Sequence, residues 1–160
     1  VIISNFSEYY RLIDYFSTYT TGDIGVAMGV NNMLMVFDEK YYKNLSGGIL
    51  EAFGKFFRNG MRVYLYPYKD PETQELLNST TLKVGDNLKE LYKYFKTNNR
   101  IVDIENYNPE FLEIYSREIL RKITCNIEGW ENQVPEGVAE MIKERSMFGY
   151  KKELSLKQFS

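Results

Sequence analysis

Met61-Arg62-Val63-Tyr64-Leu65-Tyr66 is the stretch on which the fold class turns. Val63 and Leu65 alternate with Arg62, Tyr64 and Tyr66, and that period of two predicts a strand with its apolar pair on one face. Just ahead of it, Asn59-Gly60 reads as a left-handed stop to a helix. That helix is Ile49 to Arg58, with Ile49, Leu50, Phe53, Phe56 and Phe57 at its apolar positions. Further upstream, Ile24 to Val30 (IGVAMGV) reads as a small-residue strand. Asn31-Asn32 stands ready to cap a helix carrying Leu34, Val36, Phe37, Tyr41 and Leu45, and Ser46-Gly47-Gly48 interrupts before the next one.

Outward in both directions the alternation continues. Val1-Ile2-Ile3 is a short β-branched run, and it predicts a buried strand. Asn5 or Ser7 then caps a helix on which Tyr9, Leu12, Ile13 and Phe16 share one face. After Tyr66 a long polar connection, opened by Pro67, Asp70 and Pro71, runs to about Gly85. Asn87 caps a helix with Leu88, Leu91, Tyr92 and Phe95 in its stripe, Asn98-Asn99 stops it, and Arg100 to Ile104 follows as a strand. Leu112–Tyr115 reads either as one more short strand or as part of a single helix. A final helix covers Glu136 to Arg145.

Strands separated by amphipathic helices predict a parallel sheet with crossovers. The expected fold is therefore α/β, a Rossmann-like three-layer sandwich with a mostly parallel sheet of four to five strands. One domain is expected over residues 1–150, with 151–160 as a tail. The chain opens in mid-strand at Val1 with no initiator Met, which predicts a piece of a longer protein.

The composition narrows the chemistry. The 160 residues are 44% hydrophobic and 26% charged, an ordinary globular balance. No apolar run approaches the ~20 residues of a membrane helix. Twenty basic and 22 acidic residues leave a net charge of -2, so no broad basic face for nucleic acid is expected. The chain has no His, which removes imidazole acid–base chemistry and His-liganded metals from this segment. The single cysteine, Cys125, forms no internal disulfide framework, and a reducing intracellular compartment, cytoplasm or organelle matrix, is expected. Fourteen Tyr, ten Phe and one Trp exceed what one core of this size requires. Tyr suits interfaces because it offers contact area with a polar tip, so a protein partner on a Tyr-rich surface, or through the region before Val1, is expected.

Four segments invite a binding role. Gly25 to Asn32 leads a strand through glycine into a helix start, where backbone amides around Gly29 and Asn31 hold a phosphate or the glycine serves close packing. Ser46-Gly47-Gly48 offers a similar turn, although Glu51 in the first helical turn opposes an added anion. Asp103 and Glu105 share one side of a strand, as a carboxylate pair or as an exposed face. Ser116 stands at a helix start with Arg117 and Arg121 behind it, as a cap or as an anion contact.

Phe111 to Glu144 resembles the end of a nicotinate-nucleotide adenylyltransferase domain, of the nucleotidylyltransferase superfamily. Such domains close with a strand, an Ile-Ser-Ser-Thr-x-x-Arg motif opening a helix, and a later Val-Pro helix. This chain reads Ile114-Tyr115-Ser116-Arg117-Glu118-Ile119-Leu120, then Trp130 and Val134-Pro135. The segments YYRLIDYF, FDEKYY and GGILEAFGKFF resemble a group of bacterial proteins sometimes labelled as such enzymes. The resemblance implies nucleotide binding at Ser116, Arg117 and Arg121, beside the Gly29 and Asn31 candidates of the strand–helix turn, with ATP and magnesium as cofactors of an active member. Here the motif is degenerate: Tyr115 replaces the first Ser, Arg117 the Thr, and Leu120 the Arg. The family's His-x-Gly-His element is absent from this segment. The expected function is thus a non-catalytic nucleotidylyltransferase-like module, a pseudoenzyme serving as a binding or scaffold component. The alternative is the C-terminal portion of an active adenylyltransferase whose histidine motif lies upstream of residue 1.

Overall fold

The computed structural model describes residues 4–151. The expected strand Val1-Ile2-Ile3 and the tail beyond Lys151 lie outside the described residues. The chain divides into two compact units, residues 1–106 and 107–160.

The first unit carries the sheet. Helix α1 (Tyr9–Phe16) precedes β1 (Gly25–Gly29), which runs straight into α2 (Val30–Val36). A 3-10 turn (Glu39–Tyr42) and α3 (Gly48–Phe56) lead to β2 (Arg62–Tyr66). Next come the short strands β3 (Tyr68–Lys69) and β4 (Leu76–Leu77), then α4 (Lys89–Thr97) and β5 (Ile101–Asp103). The sheet order is β1-β2-β5, with both pairings parallel; Gly25 lies beside Arg62, Ala27 beside Tyr64, and Tyr64 beside Val102. The α/β class and the parallel sheet are as the sequence pattern predicts.

Among the described residues the parallel sheet has three strands, where four to five were expected, and the expected strand Val1-Ile2-Ile3 lies outside them. Leu112–Tyr115 adds none: Pro109–Glu113 winds as a 3-10 helix whose amide at Glu110 is capped by the Asn108 side chain. Proline sets the helical φ for its first residue, and Asn108 supplies the acceptor its amides need, so local turn chemistry overrides the apolar run. The long polar connection is also partly ordered, since β3 and β4 pair antiparallel within it.

Helix ends follow local rules where the stop is a backbone matter. Asn59 and Gly60 adopt φ of 50° and 77° after α3. Asn99 (φ 53°) closes α4, with the Arg100 amide donating to the Phe95 carbonyl at 2.8 Å and the Asn99 amide to Lys96 at 3.0 Å. This pair of bonds is a Schellman closure. Helix starts differ from expectation. α1 begins behind Glu8, whose carboxylate accepts from the Ser7 hydroxyl and leaves the helix amides without a side-chain cap.

One face of the sheet is covered. Met28, Val63, Leu65 and Ile101 are buried with Met33, Ala52, Phe53, Phe56 and Phe95 in one core. Phe53 is its aromatic centre, with ring contacts to Phe37, Tyr42, Phe57 and Phe95. Two tyrosines complete this core with satisfied hydroxyls: Tyr42 donates to the Val36 carbonyl and Tyr92 to the Ser79 carbonyl, both at 2.7 Å. Burial raises both phenol pKa values above their usual range. The sign follows from linkage: their neutral-form stability is complete below the unfolded tyrosine value near ~10 and is lost as pH rises above it. A cooperative alkaline unfolding transition is expected, followed by circular dichroism. Tyr42→Phe should shift its onset to higher pH, and an unchanged onset would contradict the assignment.

The second unit is smaller. α5 (Ser116–Thr124) and α6 (Val138–Glu144) bury Ile119, Ile123, Ala139 and Ile142 around Trp130, which is 2% exposed. Among the described residues, no helix is long and apolar enough to cross a membrane.

Candidate functional site

In an open parallel sheet, ligands are sought beyond the carboxyl ends of the strands, where the strand order reverses. The order β1-β2-β5 runs in one direction, so these three strands contain no reversal. At the carboxyl end of β1, Gly29 is the N-cap of α2 in extended conformation, and no side chain caps that helix. A Cβ built at Gly29 meets nothing within 4 Å, so close packing does not demand glycine there. Asn31 is exposed in the first turn of a helix only 7 residues long. At the carboxyl end of β5, the chain fills the space itself. Asp103 accepts from the Ser79 amide at 2.8 Å and the Ser79 hydroxyl at 2.6 Å. Ser79 is buried, and the Lys96 ammonium also reaches its carbonyl at 3.2 Å. Asp103 therefore ties the long connection to the sheet, and it does so without Glu105.

The Ser46-Gly47-Gly48 turn is occupied in the same sense. The Glu51 carboxylate accepts the Gly47 amide at 3.0 Å and pairs with Lys55 at 2.8 Å. The Lys55 bond and then the Gly47 amide hold the Glu51 pKa below its usual value. An amide that would meet an incoming anion already has one. Glycine is required at position 47, because a Cβ would lie 2.9 Å from the Glu51 Cβ.

The remaining expected residues lie on α5 in the second unit. Ser116 is the first helical residue and Tyr115 is the N-cap, so the hydroxyl is not placed as a cap. Arg121 makes a forked contact with Glu118, at 2.9 and 2.6 Å. This bond holds the Glu118 carboxyl below its usual range. Arg117 is exposed. Of the two arginines carried into the site by resemblance, one is thus spoken for by its own helix.

Sequence reasoning missed two features. The first is a group of exposed residues on one face of the sheet. Gly25, Ala27 and Tyr64 are exposed there, and Tyr66 and Val102 are half-buried. The Tyr64 ring lies against Gly25, so that a Cβ on Gly25 would approach Tyr64 Cε2 to 2.9 Å. The signal was present in the sequence, since Gly25, Ala27 and Gly29 alternate with larger Val26 and Met28. The second is a cavity of about 430 Å³ at the amino edge of the sheet, lined by Asp23, Arg62, Arg100 and Asn98 with aromatic rings. Another concavity, of about 260 Å³, lies between α1 and α2, walled by Phe6, Tyr9, Met35 and Tyr41 beside Glu8. Among the described residues, no group of three or more acidic or Cys side chains is placed to hold a metal ion.

Comparison with protein-family models, with curated proteins and with solved structures finds no match to this chain.

Proposed function

We propose that this chain is a non-catalytic nucleotidylyltransferase-like module, a binding component of a larger protein or complex, and that it receives one helix of a protein partner on the open face of its sheet. The observation that carries this reading is the exposure of Gly25, Ala27 and Tyr64 on a parallel sheet. Parallel sheets are covered on both faces, because their strands are apolar and their usual covering elements are helices. The dimensions suit one helix. Three strands about 4.8 Å apart make a strip ~10 Å wide between the outer strands, the diameter of a helix with its side chains. Gly25 and Ala27 form its low side and Tyr64 its high side, a surface into which a ridge of apolar side chains fits.

The test has two arms. The full chain incubated with nicotinate mononucleotide, ATP and magnesium is expected to release no pyrophosphate; release would favour the adenylyltransferase alternative. In the second arm, a photo-crosslinker placed at Ala27 is expected to capture an amphipathic helical segment of another protein. Tyr64→Asp should abolish capture, while Tyr94→Asp, an exposed tyrosine on α4, should not. Capture that survives Tyr64→Asp, or none at all, overturns the reading.

A further inference from the structure

The cavity at the amino edge of the sheet has the chemistry of a ligand site. Arg62 opens β2 and Arg100 immediately precedes β5, so the parallel register brings two guanidinium groups to the same edge. Both line the cavity. Among the described residues neither is in an ion pair. Arg62 is exposed with no protein partner, and Arg100 makes only a long contact, 3.4 Å, to the Met61 carbonyl. Every other strong feature of this edge is satisfied. The last carbonyls of α4 are closed by the Asn99 and Arg100 amides and by the Asn98 side chain on the Tyr94 carbonyl. The arginines are therefore not needed to neutralise that helix end.

One carboxylate faces them. Asp23 Oδ1 lies 3.2 Å from where a Cβ on Gly60 would stand, and Arg100 Nη1 lies 3.9 Å from the same point. Gly60, at φ 77°, is the residue that lets the chain pass between the two charges. The other titratable wall group is Tyr94; the remaining wall is Gly60, Asn98 and the edges of Phe57 and Phe95, whose rings stack at 4.0 Å.

We propose that this cavity binds a small organic acid: a carboxylate bearing an adjacent hydroxyl or amino group and an apolar body. A planar carboxylate accepts from the guanidinium forks of Arg62 and Arg100. The adjacent hydroxyl or ammonium donates to Asp23. The apolar body lies along Tyr94 and the small accessible edges of the otherwise buried Phe57 and Phe95. Two positive groups and one negative leave a single net positive charge, which suits a monoanion or a zwitterion; the second charge of a phosphate ester would meet Asp23. A volume of about 430 Å³ lies within the range of small-molecule sites. Its test does not require a protein partner, so failure of this proposal and failure of the helix-docking reading are distinguishable.

The test is a titration of the full chain followed by backbone amide chemical shifts, at constant ionic strength. The probes are 3-phenyllactate, phenylalanine, 3-phenylpropionate and inorganic phosphate. Saturable shifts are expected at Gly60, Arg62 and Arg100 with 3-phenyllactate and phenylalanine. 3-Phenylpropionate, which differs from phenyllactate only in lacking the hydroxyl, should bind several-fold more weakly, and phosphate more weakly still. Arg62→Gln removes no side-chain hydrogen bond or ion pair among the described residues, so it should leave the spectrum folded and weaken phenyllactate at least about tenfold. Asp23→Asn should narrow the gap between phenyllactate and phenylpropionate. Absence of saturable shifts, equal binding of the two phenyl acids to the unmodified chain, or undiminished binding by Arg62→Gln would overturn the proposal.

Discussion

Replacing Phe53 by alanine is expected to destabilise the first unit by about 3–5 kcal/mol, the usual loss for a large aromatic removed from a core. Phe53 is 2% exposed and sits between the rings of Phe37, Tyr42, Phe57 and Phe95, with centroids 4.8 to 6.1 Å away. These rings come from α2's end, the following turn, α3's end and α4, so the gap cannot close by shifting one element. Both the transfer energy of the ring and the cavity left behind are then lost. Leu50 on the same helix supplies the control. It is 66% exposed, and Leu50→Ala should change stability by no more than about 0.5 kcal/mol. Urea unfolding monitored by far-ultraviolet circular dichroism measures both. Equal costs for the two substitutions would mean that Phe53 is not the centre of this core.

Asp103→Ala should cost about 2–3 kcal/mol and release the connection between β2 and α4. It strips the only carboxylate from a buried serine, leaving the Ser79 amide and hydroxyl without their acceptor. Unsatisfied buried donors cost their full desolvation, more than the net gain of the bonds they lose. Amide exchange at residues 79–84 should accelerate while the core of β2 stays protected. Asp103→Asn retains one acceptor oxygen and should cost less. Glu105→Ala, at an exposed position, should leave exchange unaltered. If Glu105→Ala loosened the same residues, the carboxylates would be acting as a pair after all.

The fate of each sequence expectation follows from how far its cause reaches along the chain. The strand Arg62–Tyr66 and its buried pair, Val63 and Leu65, were legible because side-chain alternation is a property of the strand itself. The stops at Asn59-Gly60 and Asn98-Asn99 were legible because left-handed backbone is a residue preference. Leu112–Tyr115 stayed open between strand and helix in the sequence because an apolar run does not announce whether a neighbouring strand is there to pair with it. The Ser46-Gly47-Gly48 turn was half legible: Glu51 was visible as an opposing charge, yet only coordinates reveal its carboxylate on the Gly47 amide.

Local chemistry along the chain was enough to establish an α/β architecture, the covered side of its central strand and the stops of α3 and α4, but not that α2 ends at Val36. Those depend on backbone preference and on repeats of two or about four residues, which any short window contains. Only the tertiary structure decided that three strands pair among the described residues, that Gly25, Ala27 and Tyr64 are exposed on one face of them, that Asp103 holds a serine 24 residues away, and that Arg62 and Arg100 share a cavity. Each of these is a meeting of groups distant in sequence, and parallel register, not periodicity, is what brings them together.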